Sequence, residues 1–303
     1  KSVCSDCEST RPKKLFGLTF KNPIGLAAGF DKEGAHIDAL AALGFGFVEI
    51  GTVTPLAQPG NSRPRLFRLP ADRAILNRMG FNNGGARAVG DNLKKRRSSI
   101  IVGGNIGKNK ITPNNNAADD YRKGFIQLAP YVDYFVINVS SPNTPNLRAL
   151  QDTSFLAGII DALQNENNQL EKPKPLLVKI SPDLPDKKIL EIVDLAKNRS
   201  LDGLVATNTT SSRTGLRTSE MRVRELGNGG ISGAPLNERS TQVIRLIKNN
   251  SALPVIGVGG IMSPGDALEK IKAGADLIQI YTSLIYNGPF FVKRLNRYLN
   301  ARV

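Results

Sequence analysis

The sequence predicts an α/β fold, a closed (β/α)8 TIM barrel with long active-site loop excursions, and three observations predict it. A short apolar, β-branched run, a polar or glycine-rich break and a helix-like stretch follow one another eight times. A chain of 303 residues can bury one barrel-sized core, and its 40% hydrophobic and 22% charged residues are ordinary for a globular protein. No linker-like shift in composition divides residues 15–303, so that span is read as one barrel domain behind a tail at 1–14. A doubly wound open sheet is the alternative arrangement of the same units.

The first run, Pro23–Gly29, closes on Phe30-Asp31-Lys32 and feeds a helix over Ile37–Leu43. The second, Phe45–Ile50, ends in Gly51-Thr52-Val53-Thr54. Residues 55–83 then hold four prolines and no helical periodicity, which reads as a functional lid or binding loop. A helix around Ala86–Lys95 leads to the third run, Ile100–Ile106, broken at Gly107-Lys108-Asn109 and followed by a helix over Asp119–Leu128.

The fourth run, Tyr134–Ile137, breaks into Asn138-Val-Ser-Ser-Pro-Asn-Thr-Pro145. Taken alone, this loop reads better as a turn in which Ser141 and Asn143 cap backbone groups. As the fourth of eight strand ends it belongs to the face where barrels carry their chemistry. Phe155–Leu163 supplies its helix. The fifth run, Leu176–Ile180, is broken by Ser181-Pro182 and precedes a helix over Asp186–Lys197. The sixth, Gly203–Asn208, precedes a second excursion at 210–237 and a helix through Val243–Lys248. The seventh, Pro254–Gly260, has Pro264 where the first turn of a helix accepts proline. The eighth, Leu277–Tyr281, leads to a terminal helix around Phe290–Leu299.

A formal charge of +15 favours an anionic substrate, nucleic acid or an anionic membrane surface. The run Lys94–Arg97 is read as the solvated end of a helix. Cys4 and Cys7, the two cysteines, resemble half of a zinc knuckle, but the other half is absent and His36 is the single histidine. They are read as incidental, with no metal site, no histidine triad and no disulfide framework, as suits a reducing cytoplasm. No stretch reaches the roughly 18 apolar residues of a membrane span, and no signal-peptide pattern opens the chain. It begins at Lys1 rather than at a methionine, which leaves room for residues upstream.

If the barrel closes, the polar residues that interrupt the runs converge at its mouth. They are Lys32, Thr52, Asn105, Asn138, Ser141, Asn143, Lys179, Thr207, Asn208, Gly260, Tyr281 and Thr282. Gly257-Val-Gly-Gly260 and Tyr281-Thr282, after the seventh and eighth runs, lie where barrels commonly hold phosphate through backbone amides, although tight turns also call for glycine. Lys179 interrupts an apolar strand, so its ammonium either points into the mouth beside a developing anion or forms a structural ion pair. Asn77, Asn138, Asn143 and Asn208 offer uncharged donors and acceptors suited to a planar imide or amide.

Longer motifs carry a resemblance to a family. Ala27-Ala-Gly-Phe-Asp-Lys-Glu-Gly34, Glu49-Ile-Gly-Thr-Val-Thr-Pro55, Pro64-Arg-Leu-Phe-Arg68, Asn77-Arg-Met-Gly-Phe-Asn-Asn83, Asn105-Ile-Gly-Lys-Asn109, Asn138–Pro145, Ala206-Thr-Asn-Thr-Thr210, Gly230-Ile-Ser-Gly233 and Gly257-Val-Gly-Gly-Ile261 stand in order from about Leu15 onward. The chain resembles the class 2, quinone-dependent dihydroorotate dehydrogenases. That resemblance implies an FMN-containing barrel that oxidises dihydroorotate to orotate in pyrimidine biosynthesis. By motif position, FMN would be held by Ala28, Gly29, Lys32, Thr52, Asn105, Asn138, Lys179, Thr207, Gly233, Gly260, Tyr281 and Thr282. Substrate would be held by Lys32, Asn77, Arg78, Met79, Gly80, Phe81, Asn138, Asn143, Asn208 and Thr209.

In the same resemblance Ser141 is the base, where class 1 members carry cysteine. The reaction takes a proton from C5 and a hydride from C6, so base and flavin must face opposite sides of the ring. Thr144, with an ordered water, would relay the proton outward, and Lys179 would stabilise negative charge beside the flavin. Arg68 matches a residue on the quinone side. The implied partners are a membrane quinone and an anionic membrane surface, at the cytoplasmic side of a bacterial inner membrane or the mitochondrial inner membrane. Class 2 members carry an N-terminal helical extension, of which residues 1–14 are a candidate remnant too short for two helices. Two other readings fit the charge: an FMN barrel acting on RNA, similar to dihydrouridine synthase, and a non-enzymatic RNA-binding barrel. The first family uses a cysteine acid near the flavin, whereas both cysteines here lie in the tail; the second gives no reason for the strand-end constellation.

Overall fold

In the computed structural model, which describes residues 12–302, the eight runs close into one parallel barrel. Cys4 and Cys7 lie outside the described residues. A hairpin of β1 (Lys13–Leu15) and β2 (Leu18–Phe20) comes first, then β3 (Ile24–Leu26), α1 (Ile37–Ala42) and β4 (Phe47–Val53). The first excursion holds β5 (Leu66–Leu69) and β6 (Ala74–Asn77) and ends at α2 (Ala86–Leu93). Three regular units follow: β7 (Ile101–Ile106) with α3 (Ala117–Leu128), β8 (Tyr134–Asn138) with α4 (Thr153–Asn167), and β9 (Leu176–Ile180) with α5 (Asp186–Asn198). After β10 (Gly203–Ala206), the second excursion carries α6 (Glu220–Leu226) and β11 (Gly230–Gly233) and runs into α7 (Asn237–Asn250). The chain finishes with β12 (Val255–Val258), α8 (Pro264–Lys272), β13 (Leu277–Ile280), α9 (Thr282–Asn287) and α10 (Phe291–Asn300).

The barrel strands pair in chain order, β3-β4-β7-β8-β9-β10-β12-β13, and β13 pairs back onto β3. That closure removes the open-sheet alternative. Side chains alternate across each strand. Val48 and Ile50, Phe135 and Ile137, Val178 and Ile180 pack outward into the core beneath the helices. Phe47, Tyr134, Val136, Leu177, Ile256 and Leu277 point inward and meet Phe20 of the hairpin. Phe20 and Phe47 stand edge to face with centroids 5.2 Å apart, so aromatic rings fill the end of the barrel nearest the hairpin. Glycines make room for them: a Cβ on Gly25 would lie 2.3 Å from the Phe47 ring, and one on Gly103 would lie 2.2 Å from the Tyr134 ring.

The excursions differ from the sequence expectation of loops. β5, β6 and β11 form a separate antiparallel sheet with β6 in the centre, joining the first excursion to the second. Its own small core contains Leu69, Ala74, Leu76, Leu226 and Ile231. Strands of four residues carry too little alternation to be read, and β11 lies far along the chain from its partner. Helix α7 also begins earlier than its apolar period suggests, because its first turns are polar. α8 starts as Pro264 implies, with a reciprocal capping box between Ser263 and Asp266. The basic run Lys94–Arg97 follows the end of α2, where Lys94 pairs with Asp91 and Arg96 with Asp133.

Gly103→Ala puts a methyl group against the Tyr134 ring in a filled interior and is expected to destabilise the fold by about 1–3 kcal/mol. A lower urea midpoint at unchanged slope is the readout; an unchanged midpoint would mean that the aromatic layer can yield.

Candidate active site

Two residues beyond the apolar inward layer, the same alternation turns Glu49, Lys179 and Gln279 inward from β4, β9 and β13. Glu49 is fully buried. Its carboxylate accepts from Asn105 Nδ2 at 2.7 Å and from Gln279 Nε2 at 2.6 Å, and lies 3.9 Å from Lys179 Nζ. Burial pushes the Lys179 ammonium below its ordinary range, and the Glu49 charge opposes that fall. The two sequence readings of Lys179 thus hold together: it is ion-paired below and lines the cleft above.

Above this layer the strand ends form a hydrogen-bonded polar ring. Thr52 Oγ1 donates to Asn105 Oδ1 at 2.6 Å, and Asn138 Nδ2 donates to Thr52 Oγ1 at 2.8 Å. Asn208 Nδ2 donates to Ser140 Oγ at 2.9 Å and to Asn138 Oδ1 at 3.3 Å. From the excursion sheet, Asn77 Oδ1 accepts from Asn143 Nδ2 at 2.9 Å, while Asn77 Nδ2 donates to Gly230 O at 3.3 Å. Asn138 with Asn208, and Asn77 with Asn143, are thereby held with their amide orientations fixed by one another.

Over the ring lies a cleft of about 930 Å³, measured to its open mouth. Ala28, Gly29, Lys32, Thr52, Asn77, Met79, Gly80, Phe81, Asn138, Ser141, Asn143, Lys179, Thr207, Asn208, Thr209, Gly233, Gly260, Tyr281 and Thr282 all line it. Asn105 lies just beneath, bonded to two of them. Three predicted residues are placed elsewhere. Arg78 turns its guanidinium to Leu226 O and stacks it 4.8 Å from the Phe67 ring, clamping the excursion sheet. Arg68 stands on the edge strand β5, exposed, and acts electrostatically on Tyr286. Thr144 is buried behind the lining, with a hydroxyl that has no hydrogen-bond partner.

The cleft is lined by Lys32 and Lys179 and by no carboxylate. Burial, with Arg65 nearby, lowers Lys32 to about 8, against a smaller opposing effect of Glu33. Burial raises Tyr281 to about 12, so its hydroxyl stays neutral and able to donate. Ser141 Oγ accepts from Asn143 N at 3.3 Å. Ser283, another lining residue, has a buried hydroxyl with no partner. Two cations, neutral amides and unspent hydroxyls suit an anionic or polar planar ligand. Sequence reading missed Glu49 and Gln279, although each is a polar residue two places beyond an inward apolar one. Among the described residues no group of His, Cys, Asp and Glu is placed to hold a metal ion.

The profile of the family described as Dihydroorotate dehydrogenase matches residues 12–303. A relative from Christiangramia forsetii, named Dihydroorotate dehydrogenase (quinone), is 52% identical over 94% of this chain and 83% of its own. One of the same name from Nostoc punctiforme is 54% identical over 95% and 78%. Among solved structures, the crystal structure of DHODH from Eimeria tenella in complex with ferulenol superposes with a TM-score of 0.92 at 39% identity, covering 99% of this chain and 86% of that one.

Glu49→Gln removes the carboxylate that supports the Lys179 ammonium and keeps the shape of the side chain. The Lys179 pKa is expected to fall further, because a buried cation loses its opposing charge. An NMR titration of the Lys179 side chain reads the shift; an unmoved or raised value would show that the pair does not couple.

Proposed function

The chain belongs to the dihydroorotate dehydrogenase family, and on that premise we propose that its cleft holds FMN beside dihydroorotate, oxidises the latter to orotate for pyrimidine biosynthesis, and passes the electrons to a membrane quinone. The observation that carries this reading is the composition of the cleft, with two lysines, no carboxylate, an asparagine ring at the strand ends and glycine turns at Gly233 and Gly260. The relatives' names set aside the two RNA-directed readings.

The residues present fit FMN. Lys32 and Lys179 offer positive charge, the Ser283 hydroxyl is unspent, and glycines at 233 and 260 let backbone approach a ligand closely. The proposed holders are Ala28, Gly29, Lys32, Thr52, Asn105, Asn138, Lys179, Thr207, Gly233, Gly260, Tyr281 and Thr282. When bound, FMN supplies the two-electron acceptor for hydride from C6. Asn77, Asn138, Asn143 and Asn208, already oriented by their mutual bonds, hold the planar substrate with Met79–Phe81 and Thr209, and Lys32 meets its carboxylate. Arg78 contributes by fixing the Asn77–Phe81 segment from outside. Ser141 takes the C5 proton as its own hydroxyl proton passes to the unpartnered Thr144 hydroxyl, which with an ordered water relays a proton on to bulk solvent. Lys179 stabilises the negative charge delivered beside it, and Glu49 holds that ammonium in place.

For the second half-reaction, an apolar mouth lies on the other side of Gly29, Lys32, Met79 and Tyr281. Phe30, Pro64, Leu66 and Ile285 line it, with Arg63 and Arg65 also on its wall. Phe30 and Leu66 are 41% and 45% exposed, which suits a quinone ring entering there, with Arg68 two residues beyond Leu66 on the same strand. A net charge of +15 suits peripheral contact with the anionic surface of the inner membrane. Among the described residues no helix is long and apolar enough to cross a membrane.

Anaerobic addition of dihydroorotate should bleach the visible flavin bands of the purified protein; colourless protein after reconstitution with FMN would defeat the reading. Ser141→Ala should retain FMN and orotate binding while flavin reduction slows by about 10²–10⁴-fold. Reduction at the wild-type rate would remove Ser141 from the role of base. Lys32 carries its charge below about 8 and loses it above, so orotate affinity should weaken as pH rises through that value. The flavin spectral shift on orotate binding measures it, and Lys32→Met should flatten the profile.

A further inference from the structure

We propose that Lys270 is a positioning residue for the phosphate end of the flavin: through Ser240 and Asn237 its buried ammonium holds the Gly259 and Gly260 carbonyls away from the cleft, and so aims the following two backbone amides into it. This rests on the reading of the cleft as an FMN site.

Lys270 lies on α8, completely buried and outside the cleft lining. Its Nζ donates to Asn237 O at 2.7 Å, to Ser240 Oγ at 2.6 Å and to Thr241 Oγ1. The two hydroxyls keep their own hydrogens for carbonyls, Ser240 with Gly259 O at 2.9 Å and Asn237 O at 3.0 Å both in reach, and Thr241 for Asn237 O at 2.9 Å. Asn237 Nδ2 completes the set by donating to Gly260 O at 2.9 Å. Three acceptors around Nζ call for three hydrogens, which an ammonium has and a neutral amine lacks. Burial lowers Lys270 to about 7; Glu269 and Asp266 on its own helix oppose that, and Arg245 of α7 adds to it. Among the described residues no carboxylate pairs with it directly, so hydroxyl and carbonyl dipoles hold the charge.

The peptides joining Gly259 to Gly260 and Gly260 to Ile261 are trans, so each N–H points opposite its C=O. With both carbonyls bonded back toward α7, the amides of Gly260 and Ile261 face the other way. Both residues line the cleft, and among the described residues neither amide donates to a protein group. The turn needs φ of +120° at Gly259 and +72° at Gly260, and a Cβ at Gly260 would come within 2.2 Å of Asn237. Consecutive free amides form a concavity for an anion. A cation two hydrogen bonds behind Gly259 adds a field that solvent screens little. Both effects act on a phosphate dianion and leave an uncharged ring system untouched.

The test is a fluorescence titration of the deflavinated full chain with FMN and with riboflavin, which lacks the phosphate. Lys270→Met is expected to weaken FMN by about tenfold or more, through the loss of its field and of the aim it gives the turn amides, while riboflavin moves by less than about twofold. Equal weakening of both, or of neither, overturns the proposal, because a merely structural role would not distinguish them. If Lys270→Met does not fold, Ser240→Ala keeps the cation and cuts its link to Gly259; a loss confined to FMN supports the proposal, and an equal loss overturns it. A wild-type chain that binds neither flavin defeats the FMN reading and the proposal with it. A wild-type preference for FMN that survives both substitutions overturns the role of Lys270 alone.

Discussion

The two-residue alternation of a closed, eight-stranded barrel is the constraint on which this structure depends. Because every strand turns each second side chain inward, the interior divides into an apolar layer and a polar one, separated by one alternation step. Phe47, Tyr134, Leu177 and Leu277 fill the first. Glu49, Lys179 and Gln279, two positions further on, stand in the second. A single-residue slip in β4 or β9 would exchange the inward-facing carboxylate or lysine for a helix-facing aliphatic side chain.

The polar layer is costly to bury, and its composition shows how that cost is met. Glu49 has two amide donors and one ammonium nearby, so its charge is neither unpaired nor fully neutralised. Lys179 receives less: one carboxylate oxygen at 3.9 Å and an open side toward the cleft. A cation only partly satisfied from within the protein is suited to respond to negative charge arriving from the ligand side. The same division recurs behind the glycine turn, where the charge of Lys270 is held by dipoles and its consequences are delivered to the cleft through peptide geometry.

The excursions serve the barrel mouth by pairing with each other. β6 and β11 carry Asn77 and Gly230 into register, and the Asn77–Asn143 bond then couples that sheet to the loop after β8. Asn61 adds a second tie, donating to Asn143 O at 3.0 Å. The serine-bearing loop Asn138–Pro145 is therefore gripped from its own strand, through Asn138, and from the sheet above, through Asn143. Its two prolines stiffen a segment already fixed at both ends, which favours constant geometry around Ser141.

Local periodicity was enough to determine the eight strand-and-helix units, their order, and the polar residues that end them, because alternation and capping are written in neighbouring positions. Ser141, Lys32, Thr282 and the other polar strand-end residues of the cleft were legible on that basis, whereas Ala28, Gly29, Met79, Gly80, Phe81, Thr209 and Gly233 came only from the family resemblance. Tertiary structure alone decided where Arg78 points, that Thr144 sits behind the lining, and that β5, β6 and β11 form a sheet. It also decided the bonds from Gln279 to Glu49 and from Lys270 to Asn237 and Ser240. Each of those depends on groups far apart in the chain being buried together, and no local pattern records which distant group will share the same dry volume.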